Sequence, residues 1–482
     1  MKYNPIEDYG VIGDLNTVAL IGLNGSIDFM CFPHFDSPSV FAALLDHGKG
    51  GFFQIAPAFK EMRNKQLYFP DTNVLLTRFS SSDGVGEITD FMPVEEYYEG
   101  NALIRRVTNI RGKAVYVMKC QPRFNYAENG HKIELLDKHT LLFQSEGSDS
   151  LKLKLKSTVD LQIIDNDAYA EFCLAPGGTA DFILELQPEN EEKKTAEDLP
   201  TIVSRELEET MNYWKNWTSM SQYNGRWREI VNRSALVLKL LISNKYGSIV
   251  AAPTFSLPER IGGARNWDYR YSWIRDSSFT IYSLINLGYI KEADNFIQWI
   301  EDYCQDITRP GELKLMYTID GKKKLDEKIL KHLEGYKGTS PVRIGNNAHT
   351  QLQLDIYGEL MDSIYLYNKY SDGIPYDFWR YMAKQIDWIG EHWDQPDEGI
   401  WEVRGGRKKF LHSRLMCWVA LDRAIRLCKN RSFPWNPEWR VQRDIIFNSI
   451  YDNFWNDEKQ SFVQYEGSDS VDAAILLMPL VR

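Results

Sequence analysis

The hydrophobic pattern of this chain changes its period once, near Gln187. Before that point, short runs alternate between apolar and polar residues with turn residues between them, which is typical of a β-sandwich. After Gly225 the apolar residues recur with the period of an α-helix. At 482 residues the chain is too long for one ordinary core, so two or three domains are expected. We predict a β-sandwich in residues 1–188, a linker with a helix in 189–224 and a helical domain in 225–482.

Two turn motifs support the β prediction. Asn24-Gly25 separates the runs 17–23 and 26–32, and Asp83-Gly84 stands between two further runs. Asn-Gly between alternating segments is a strong indication of a two-residue hairpin. The remaining alternating runs start at Ala114, Leu151 and Asp181. Residues 188–200, rich in Glu, Lys and Asp, have the composition of a linker.

The helical part predicts a series of long helices joined by loops of varied length. The predicted helices lie near 226–245, 275–287, 291–307, 350–370, 375–394, 413–429 and 438–455, with another beginning near 471. Such a series favours helices paired in antiparallel fashion. The loops 246–273, 308–349 and 395–412 are long, and they carry Trp, Tyr, Arg and carboxylates. Long loops in a compact domain are commonly functional, so we expect the site in them.

Charge and composition exclude several classes of protein. The formal net charge of -11 disfavours a nucleic-acid partner. The sequence contains no run of about 18 apolar residues, so it predicts no membrane span. The N-terminus lacks the apolar core of a signal peptide. Six scattered Cys favour reduced thiols in a cytoplasmic protein. The eight His lack ligand-like spacing and no complete dinucleotide motif is present, so neither a metal nor another cofactor is expected. The oligomeric state stays open.

The segment from Arg265 to Ser278 has an unusual composition. In fourteen residues it holds two Trp, two Tyr, three Arg and two Asp. Aromatic rings offer flat apolar faces, and Arg and Asp offer charge-assisted hydrogen bonds. A sugar ring needs both, because it has an apolar face and a rim of hydroxyls. The segment therefore predicts a saccharide pocket.

A second segment supplies a candidate acid. Glu402 follows Trp401 in a Gly-bounded loop before a helix. A carboxyl beside an indole in a partly dry pocket is held protonated by desolvation and can act as a general acid. The alternative is that Glu402 forms a surface ion pair with Arg404 or Arg407.

Together the two segments resemble glycoside hydrolase family 15, the glucoamylase and trehalase-like group. Trp273-Ile274-Arg275-Asp276 matches the motif with which that family grips the innermost glucose, and Tyr269 matches its upstream aromatic residue. Glu402 after Trp401 matches its general acid. Val403 stands where glucoamylases commonly carry a second Glu, which favours the trehalase-like branch.

The resemblance extends beyond the two segments. Residues 413–424 and 341–359 look like the bacterial and archaeal branch, and the second stretch makes Arg343 and Asn346 candidates for sugar contacts. Residues 8–14 are similar to the β domain that precedes the catalytic domain in trehalase-like members.

The resemblance implies a β-sandwich followed by an (α/α)6 toroid of the six-hairpin glycosidase type. About eight of its twelve helices are predicted here, so we expect a C-terminally truncated chain. An inverting glycosidase also needs a base roughly 6.5–9.5 Å from the acid. In the family this carboxylate lies near the end of the barrel, and we expect it beyond residue 482. Asp276 is a poor substitute because its family role is to hold sugar hydroxyls, and Glu466, Asp469 and Asp472 are expected at the surface.

The implied activity is an inverting, exo-acting hydrolysis of α-glucosidic bonds that releases glucose from trehalose or malto-oligosaccharides. In this hypothesis Glu402 is the acid, Arg275 and Asp276 hold the terminal glucose, and the pocket is lined by Tyr269, Trp273 and Trp401. Two alternatives stay open. A disaccharide phosphorylase would use phosphate in place of the base and water. A non-catalytic carbohydrate-binding protein would bind sugar without turning it over.

Overall fold

A computed structural model of the chain describes residues 3–94, 101–148, 150–187, 197–303, 312–322 and 325–481. The predicted linker residues 189–196 lie outside these ranges. Contacts divide the chain into two compact units. The first comprises Met1–Lys245, Ala252–Arg270 and Lys328–Ile344, and the second comprises Tyr246–Ala251, Tyr271–Glu327 and Gly345–Arg482.

Two antiparallel sheets form the frame of the first unit, with eight strands each in the described residues. The strands are β1 (Tyr9–Gly13), β2 (Val18–Gly22), β3 (Ser26–Cys31), β4 (Ser39–Phe41), β5 (Phe52–Pro57), β6 (Arg63–Tyr68), β7 (Leu75–Ser80), β8 (Val85–Phe91), β9 (Ala102–Arg111), β10 (Ala114–Gln121), β11 (His131–Asp137), β12 (Thr140–Ser145), β13 (Lys152–Ser157), β14 (Gln162–Ile164), β15 (Asp167–Leu174) and β16 (Thr179–Leu186). One sheet has the order β1-β2-β3-β5-β10-β15-β14, with β4 beside β3. The other has the order β11-β12-β13-β16-β9-β8-β7-β6. One hydrophobic core contains residues of both sheets, and the predicted β-sandwich is confirmed.

Strand β10 illustrates the alternation behind this prediction. Ala114, Tyr116, Met118 and Cys120 are buried in the core, whereas Val115 is 40% exposed. Because successive side chains of a strand point to opposite faces, this pattern places one face of β10 on the core.

The hairpin predicted at Asn24-Gly25 joins β2 to β3. Gly25 has a φ of 74°, in the left-handed region that favours glycine. A Cβ atom here would lie 2.3 Å from the carbonyl oxygen of Ile55, so the close approach of β5 also requires glycine.

A buried ion pair crosses the interior of this unit. Arg105 Nε lies 2.7 Å from Asp90 Oδ1, and neither side chain is exposed to solvent. The remaining guanidinium nitrogens donate to the carbonyl oxygens of Phe53 and Gly25. Buried charges are tolerated when they are paired and hydrogen-bonded in this way.

Asp14 makes stability depend on pH. Burial raises the pKa of its carboxyl to about 7, against the opposing effect of the backbone N–H groups of Thr17 and Asn16. The folded state therefore favours the protonated form. The resulting stabilisation is fully present below the pKa that the Asp14 carboxyl has in the unfolded chain, and it is lost as pH rises through about 7. The free energy of unfolding falls by up to about 1.4 kcal/mol per pH unit over this range.

We expect the free energy of unfolding of the wild-type protein to fall between pH 5 and 8 relative to that of Asp14→Asn, as measured by chemical denaturation at each pH. The exposed turn residue Asp83 provides the control, since Asp83→Asn should keep the wild-type profile. Parallel profiles for wild type and Asp14→Asn would contradict the assignment.

The helices of the chain are α1 (Phe124–Ala127), α2 (Leu199–Ser219), α3 (Arg228–Leu240), α4 (Ile274–Leu287), α5 (Ile290–Tyr303), α6 (Asp355–Tyr370), α7 (Tyr376–His392), α8 (Leu411–Arg431) and α9 (Glu438–Phe454). The first three belong to the first unit and the other six to the second. Within the second unit α6 packs against both α4 and α8, and α8 also packs against α9. The helical period that begins after Gly225 is thus confirmed as helix.

Three predicted helices differ from the structure. The helix predicted at 226–245 spans Arg228–Leu240. Residues 304–307 of the helix predicted at 291–307 lie outside the described residues. The helix predicted from residue 350 begins at Asp355, because Glu398 and Asp397 accept hydrogen bonds from the backbone N–H groups of Leu352 and Leu354. The segment near 471 forms a 3-10 helix, Ala473–Leu477, in place of an α-helix. Pro479 follows closely, and it has no backbone N–H to donate to a helical hydrogen bond.

Four short strand pairs complete the secondary structure. They are β17 (Phe255–Pro258) with β18 (Asn266–Asp268), β19 (Ser272–Trp273) with β20 (Met316–Tyr317), β21 (Lys328–Ile329) with β22 (Arg343–Ile344), and β23 (Trp455–Asn456) with β24 (Ser461–Phe462). In the described part of the chain, no helix has the length and apolar character needed to cross a bilayer.

Candidate active site

Three stretches of the second unit bring polar side chains together. Trp273 ends β19, and Arg275 and Asp276 follow in the first turn of α4. The start of α6 contributes Asp355, and the loop between α7 and α8 contributes Glu402. A carboxylate in the first turn of a helix is favoured by the helix dipole, which suits Asp276 at this place.

Arg275 is the centre of the arrangement. Its Nη1 donates to Gln353 Oε1 and lies 3.3 Å from Asp355 Oδ2. Its Nη2 lies 3.3 Å from Glu402 Oε1, and its Nε lies 3.7 Å from Asp276 Oδ2. Burial by itself would lower the pKa of the Arg275 guanidinium, but the surrounding carboxylates outweigh burial and raise that pKa. The planar guanidinium thus holds side chains from three separate stretches in one geometry.

Glu402 accepts hydrogen bonds at one oxygen. Its Oε1 receives the indole N–H of Trp273 at 2.8 Å as well as the guanidinium of Arg275. The side chain is 24% exposed, so the carboxyl group stands between the protein interior and solvent. The backbone of Glu402 has a φ of 51°, an unfavourable value for a residue other than glycine. Such strained residues occur frequently at functional sites.

Arg404 and Arg407, the surface partners considered for Glu402, lie beside other carboxylates. Arg404 lies 3.6 Å from Glu327, and the Nε of Arg407 donates to Glu398 at 3.0 Å. The basic residue that pairs with Glu402 is Arg275, which is 127 positions away in sequence.

The indole on Glu402 belongs to Trp273, which is fully buried, and not to its neighbour in sequence. Trp401 is 51% exposed, and its Nε1 donates to Asp472 Oδ2 at 2.7 Å. Asp472, expected at the surface, is half-buried, whereas Glu466 and Asp469 are exposed.

Asp276 lies on the open side of Arg275. Its side chain is 46% exposed, but its Oδ2 is buried and has no hydrogen-bond partner in the described residues. A buried carboxylate oxygen is normally hydrogen-bonded. Here Oδ2 faces Arg275 Nε at 3.7 Å, so the part of the Asp276 side chain that a ligand hydroxyl can reach is its exposed part.

Comparison with known proteins places the chain in a family. Residues 225–482 match the glycosyl hydrolases family 15 pattern, and residues 1–214 match the trehalase-like N-terminal pattern. The chain belongs to glycosyl hydrolases family 15. It is 35% identical to a trehalase of Thermoplasma volcanium, covering 99% of this chain and 76% of the relative. It is 33% identical to a trehalase of Mycolicibacterium smegmatis, covering 100% of this chain and 74% of the relative. The resemblance stated from the sequence motifs is confirmed, and the protein is a glycoside hydrolase.

A solved structure supports the fold class of this family 15 member. It is a bacterial glucoamylase complexed with acarbose, 14% identical, with a TM-score of 0.68 over 98% of this chain and 72% of that chain. The likeness confirms the expected β-sandwich followed by a helical domain of the six-hairpin type. In this family 15 chain, six α-helices lie in the described residues of the second unit.

The other predicted sugar contacts of this family 15 glycosidase are distributed over both units. Tyr269 and Arg343 belong to the first unit, where the Arg343 guanidinium lies over the Trp267 ring and donates to the carbonyl of Ala264. Asn346 belongs to the second unit. It is buried, and its Oδ1 accepts the backbone N–H of Ala348 at the start of a 3-10 helix.

Sequence reasoning missed the polar side chains behind Arg275 in this family 15 glycosidase. Asp355, Glu359 and His412 are buried, and their ligand atoms lie within 4.8 Å of one another, so these three residues could hold a metal ion. The spacing of Asp355 and Glu359 carries a recognisable indication, because two carboxylates four residues apart lie on one face of a helix. Nothing local in the sequence connects that pair to His412.

Asp397 ties the loop that carries Glu402 to two helices. Its Oδ2 accepts hydrogen bonds from the Leu354 N–H before α6 and from Ser413 Oγ in α8. Burial raises the pKa of the Asp397 carboxyl to about 7. The start of the loop that carries Glu402 is thereby fixed to α8 and to the residue before α6.

Proposed function

We propose that this chain hydrolyses the α-glucosidic bond of trehalose, releasing glucose with inversion at the anomeric carbon. The observation that carries the proposal is the contact of Arg275 and Trp273 with the Glu402 carboxyl. Two further observations support trehalose over malto-oligosaccharides. The relatives that cover nearly the whole chain are trehalases, and Val403 replaces the second Glu common in glucoamylases.

Glu402 is the proposed general acid. Trp273 and Arg275 both donate to Oε1, so we assign the transferable proton to Oε2. In the proposed step this proton passes to the glycosidic oxygen as the bond to the anomeric carbon breaks. A water molecule attacks that carbon from the opposite face and gives up its proton to a general base.

Arg275 and Asp276 are the proposed grip on the terminal glucose. The 46% exposure of the Asp276 side chain supports a role in accepting sugar hydroxyls, and the Arg275 guanidinium supplies donors. Binding that fixes the ring relative to the acid lowers the entropic part of the barrier. Within the second unit, the proposed lining of the pocket comprises Trp273, Asn346 and Trp401. Tyr269 and Arg343, which belong to the first unit, stay predicted sugar contacts. The cytoplasm is the proposed compartment, on the basis of the scattered cysteines.

The test follows the products of trehalose in real time by proton NMR, with maltose and maltotriose as competing substrates and with phosphate present or absent. Inversion of trehalose should yield one β-glucose and one α-glucose per turnover before mutarotation. Two α-glucose molecules would contradict inversion. A requirement for phosphate with formation of a sugar phosphate would identify a phosphorylase, and thermal stabilisation by trehalose without product would identify a binding protein.

A further inference from the structure

Trp401 is an exposed aromatic residue that a distant part of the chain holds in place. It is 51% exposed, and its Nε1 donates to Asp472 Oδ2 at 2.7 Å, across 71 positions of sequence. Trp455 provides a contrast, since it is 42% exposed and donates to Asp457, only two residues away. The local bond restrains Trp455 relative to its own turn. The bond to Asp472 restrains the Trp401 ring relative to another segment of the second unit.

The two carboxylate oxygens of Asp472 have separate partners. Oδ1 accepts the backbone N–H of Ala474 at 2.9 Å and so caps the 3-10 helix Ala473–Leu477. Oδ2 accepts the indole N–H of Trp401 and, at 2.9 Å, the side-chain amide of Gln464. A carboxylate has lone pairs enough for several donors at once. One side chain therefore caps a helix with one oxygen and holds an indole with the other.

Gln464 connects this contact to helix α8. Its carbonyl oxygen accepts the N–H of Leu411, the first residue of α8, at 2.9 Å, and its own N–H donates to the carbonyl oxygen of Ser470. The same end of α8 carries Ser413, which donates to Asp397 at the start of the loop that holds the candidate acid. The indole and the start of its own loop are thus fixed to the same end of one helix.

The Glu402 carboxyl separates a buried side of the candidate site from an exposed one. Trp273 and Arg275, which are 2% and 8% exposed, contact its Oε1. Trp401 precedes Glu402 in sequence and is half exposed. In the proposed reaction Arg275 holds the terminal glucose, and the acid protonates the oxygen that joins the two rings. The leaving glucose must depart to solvent, so it lies on the exposed side of the acid, where Trp401 offers a flat apolar face.

Fixing the ring before the sugar arrives favours binding. A side chain that is free at the surface loses rotamer freedom when a ligand orders it, and this loss weakens binding by about two- to tenfold. The hydrogen bond to Asp472 restricts the Trp401 ring in the unliganded protein, so less freedom is left to lose.

We propose that Asp472 is a positioning residue for substrate binding: it holds the Trp401 indole as a fixed platform for the leaving glucose. The proposal rests on the proposed function, because it takes the substrate to be a disaccharide whose terminal ring is held by Arg275. Asp472 does not touch the sugar, and it acts only through the orientation of Trp401.

The kinetic test uses Asp472→Ser. Serine is a preferred helix-capping residue, so its hydroxyl can still accept the Ala474 N–H, but no second oxygen remains for Trp401. KM for trehalose should rise by about two- to tenfold. Because the lost contact is the same in the ground and transition states, kcat should change by less than about twofold. Asp469→Ser, at an exposed position of the same segment, should leave both constants unchanged. An unchanged KM in folded Asp472→Ser would overturn the proposal.

α-Glucosyl fluoride separates the effect on the leaving glucose from a general disturbance of the site. This substrate carries one sugar ring, so it has no leaving glucose to contact Trp401. Asp472→Ser should therefore raise KM for trehalose but not for α-glucosyl fluoride. An equal rise in KM for both substrates would indicate a structural effect on the whole site and would contradict the assignment.

A double-mutant comparison tests whether Asp472 acts through Trp401. Trp401→Phe keeps an aromatic face but removes the N–H that Asp472 accepts. It should raise KM for trehalose, and the addition of Asp472→Ser should raise KM no further. Effects that multiply in the double variant would show that Asp472 acts independently of Trp401 and would refute the proposal. If Asp472→Ser does not fold, as judged by circular dichroism, Trp401→Phe takes its place in the comparison of trehalose with α-glucosyl fluoride.

A further measurement does not depend on catalysis. In protein labelled with 15N-tryptophan, the indole signal of Trp401 is identified by its loss in Trp401→Phe. The signal should move, and its proton should exchange faster with water, in Asp472→Ser but not in Asp469→Ser. The same Trp401 signal in wild type and Asp472→Ser would overturn the proposal even where trehalose is cleaved. If the protein cleaves maltose in place of trehalose, the proposed function fails, whereas the signal still decides whether Asp472 holds the ring, and maltose replaces trehalose in the kinetic comparison.

Discussion

Glu402→Gln is expected to lower kcat for trehalose by about 10²–10⁴-fold while the protein stays folded. The amide has nearly the shape of the carboxyl, and its oxygen can still accept from Trp273 and Arg275. It has no acidic proton to give to the glycosidic oxygen. Glucose release, measured with a coupled assay, should therefore fall without a matching rise in KM.

An activated substrate distinguishes an acid from a binding residue. Fluoride leaves α-glucosyl fluoride without protonation, so Glu402→Gln should retain most of the wild-type rate on that substrate. The matched control is Glu466→Gln, since Glu466 is an exposed acidic residue of the same unit. Unchanged turnover of trehalose by Glu402→Gln would falsify its assignment as the acid. An equal loss on both substrates would assign Glu402 to binding instead.

Arg275→Met is expected to have the second largest effect, and it acts on stability as well as on binding. Removing the guanidinium leaves the fully buried Asp355 without its 3.3 Å partner. Breaking a buried ion pair on one side costs about 3–5 kcal/mol, because the remaining charge stays buried and uncompensated. The free energy of unfolding, measured by urea denaturation, should fall by about that amount.

Arg275→Lys tests the geometry separately from the charge. Lysine keeps the positive charge but loses the planar fork that contacts several acceptors at once. We expect it to recover much of the stability lost in Arg275→Met, while KM for trehalose stays raised.

The control is Arg407→Met, because the Arg407 side chain is 46% exposed and pairs with Glu398 at the surface. Exposed pairs contribute at most about 1 kcal/mol, so this variant should stay near wild type. Equal losses in Arg275→Met and Arg407→Met would contradict the central role given to Arg275.

The architecture was predictable where it depends on local pattern. The hairpin at Asn24-Gly25, the alternation of β10 and the helices after Gly225 follow from side-chain periods and turn residues that act over a few positions. The start of α6 was not predictable in this way. Asp397 and Glu398 capture backbone N–H groups more than forty residues earlier in the chain, and no local preference encodes such a contact.

The candidate site also contains residues that a local motif groups and residues that only folding brings together. Trp273, Arg275 and Asp276 fall within four consecutive residues, so the end of one short strand and the first turn of α4 present them together, and the sequence alone was sufficient to group them. The motif identifies Glu402, but the sequence points to Trp401, its neighbour, as the indole that desolvates the carboxyl. Folding brings Trp273 to the Glu402 carboxyl across 129 positions, and it places the buried Asp355, Glu359 and His412 behind Arg275. These partners could be known only from the folded chain, because hydrogen bonds and ion pairs depend on proximity in space, which helix packing creates between residues distant in sequence.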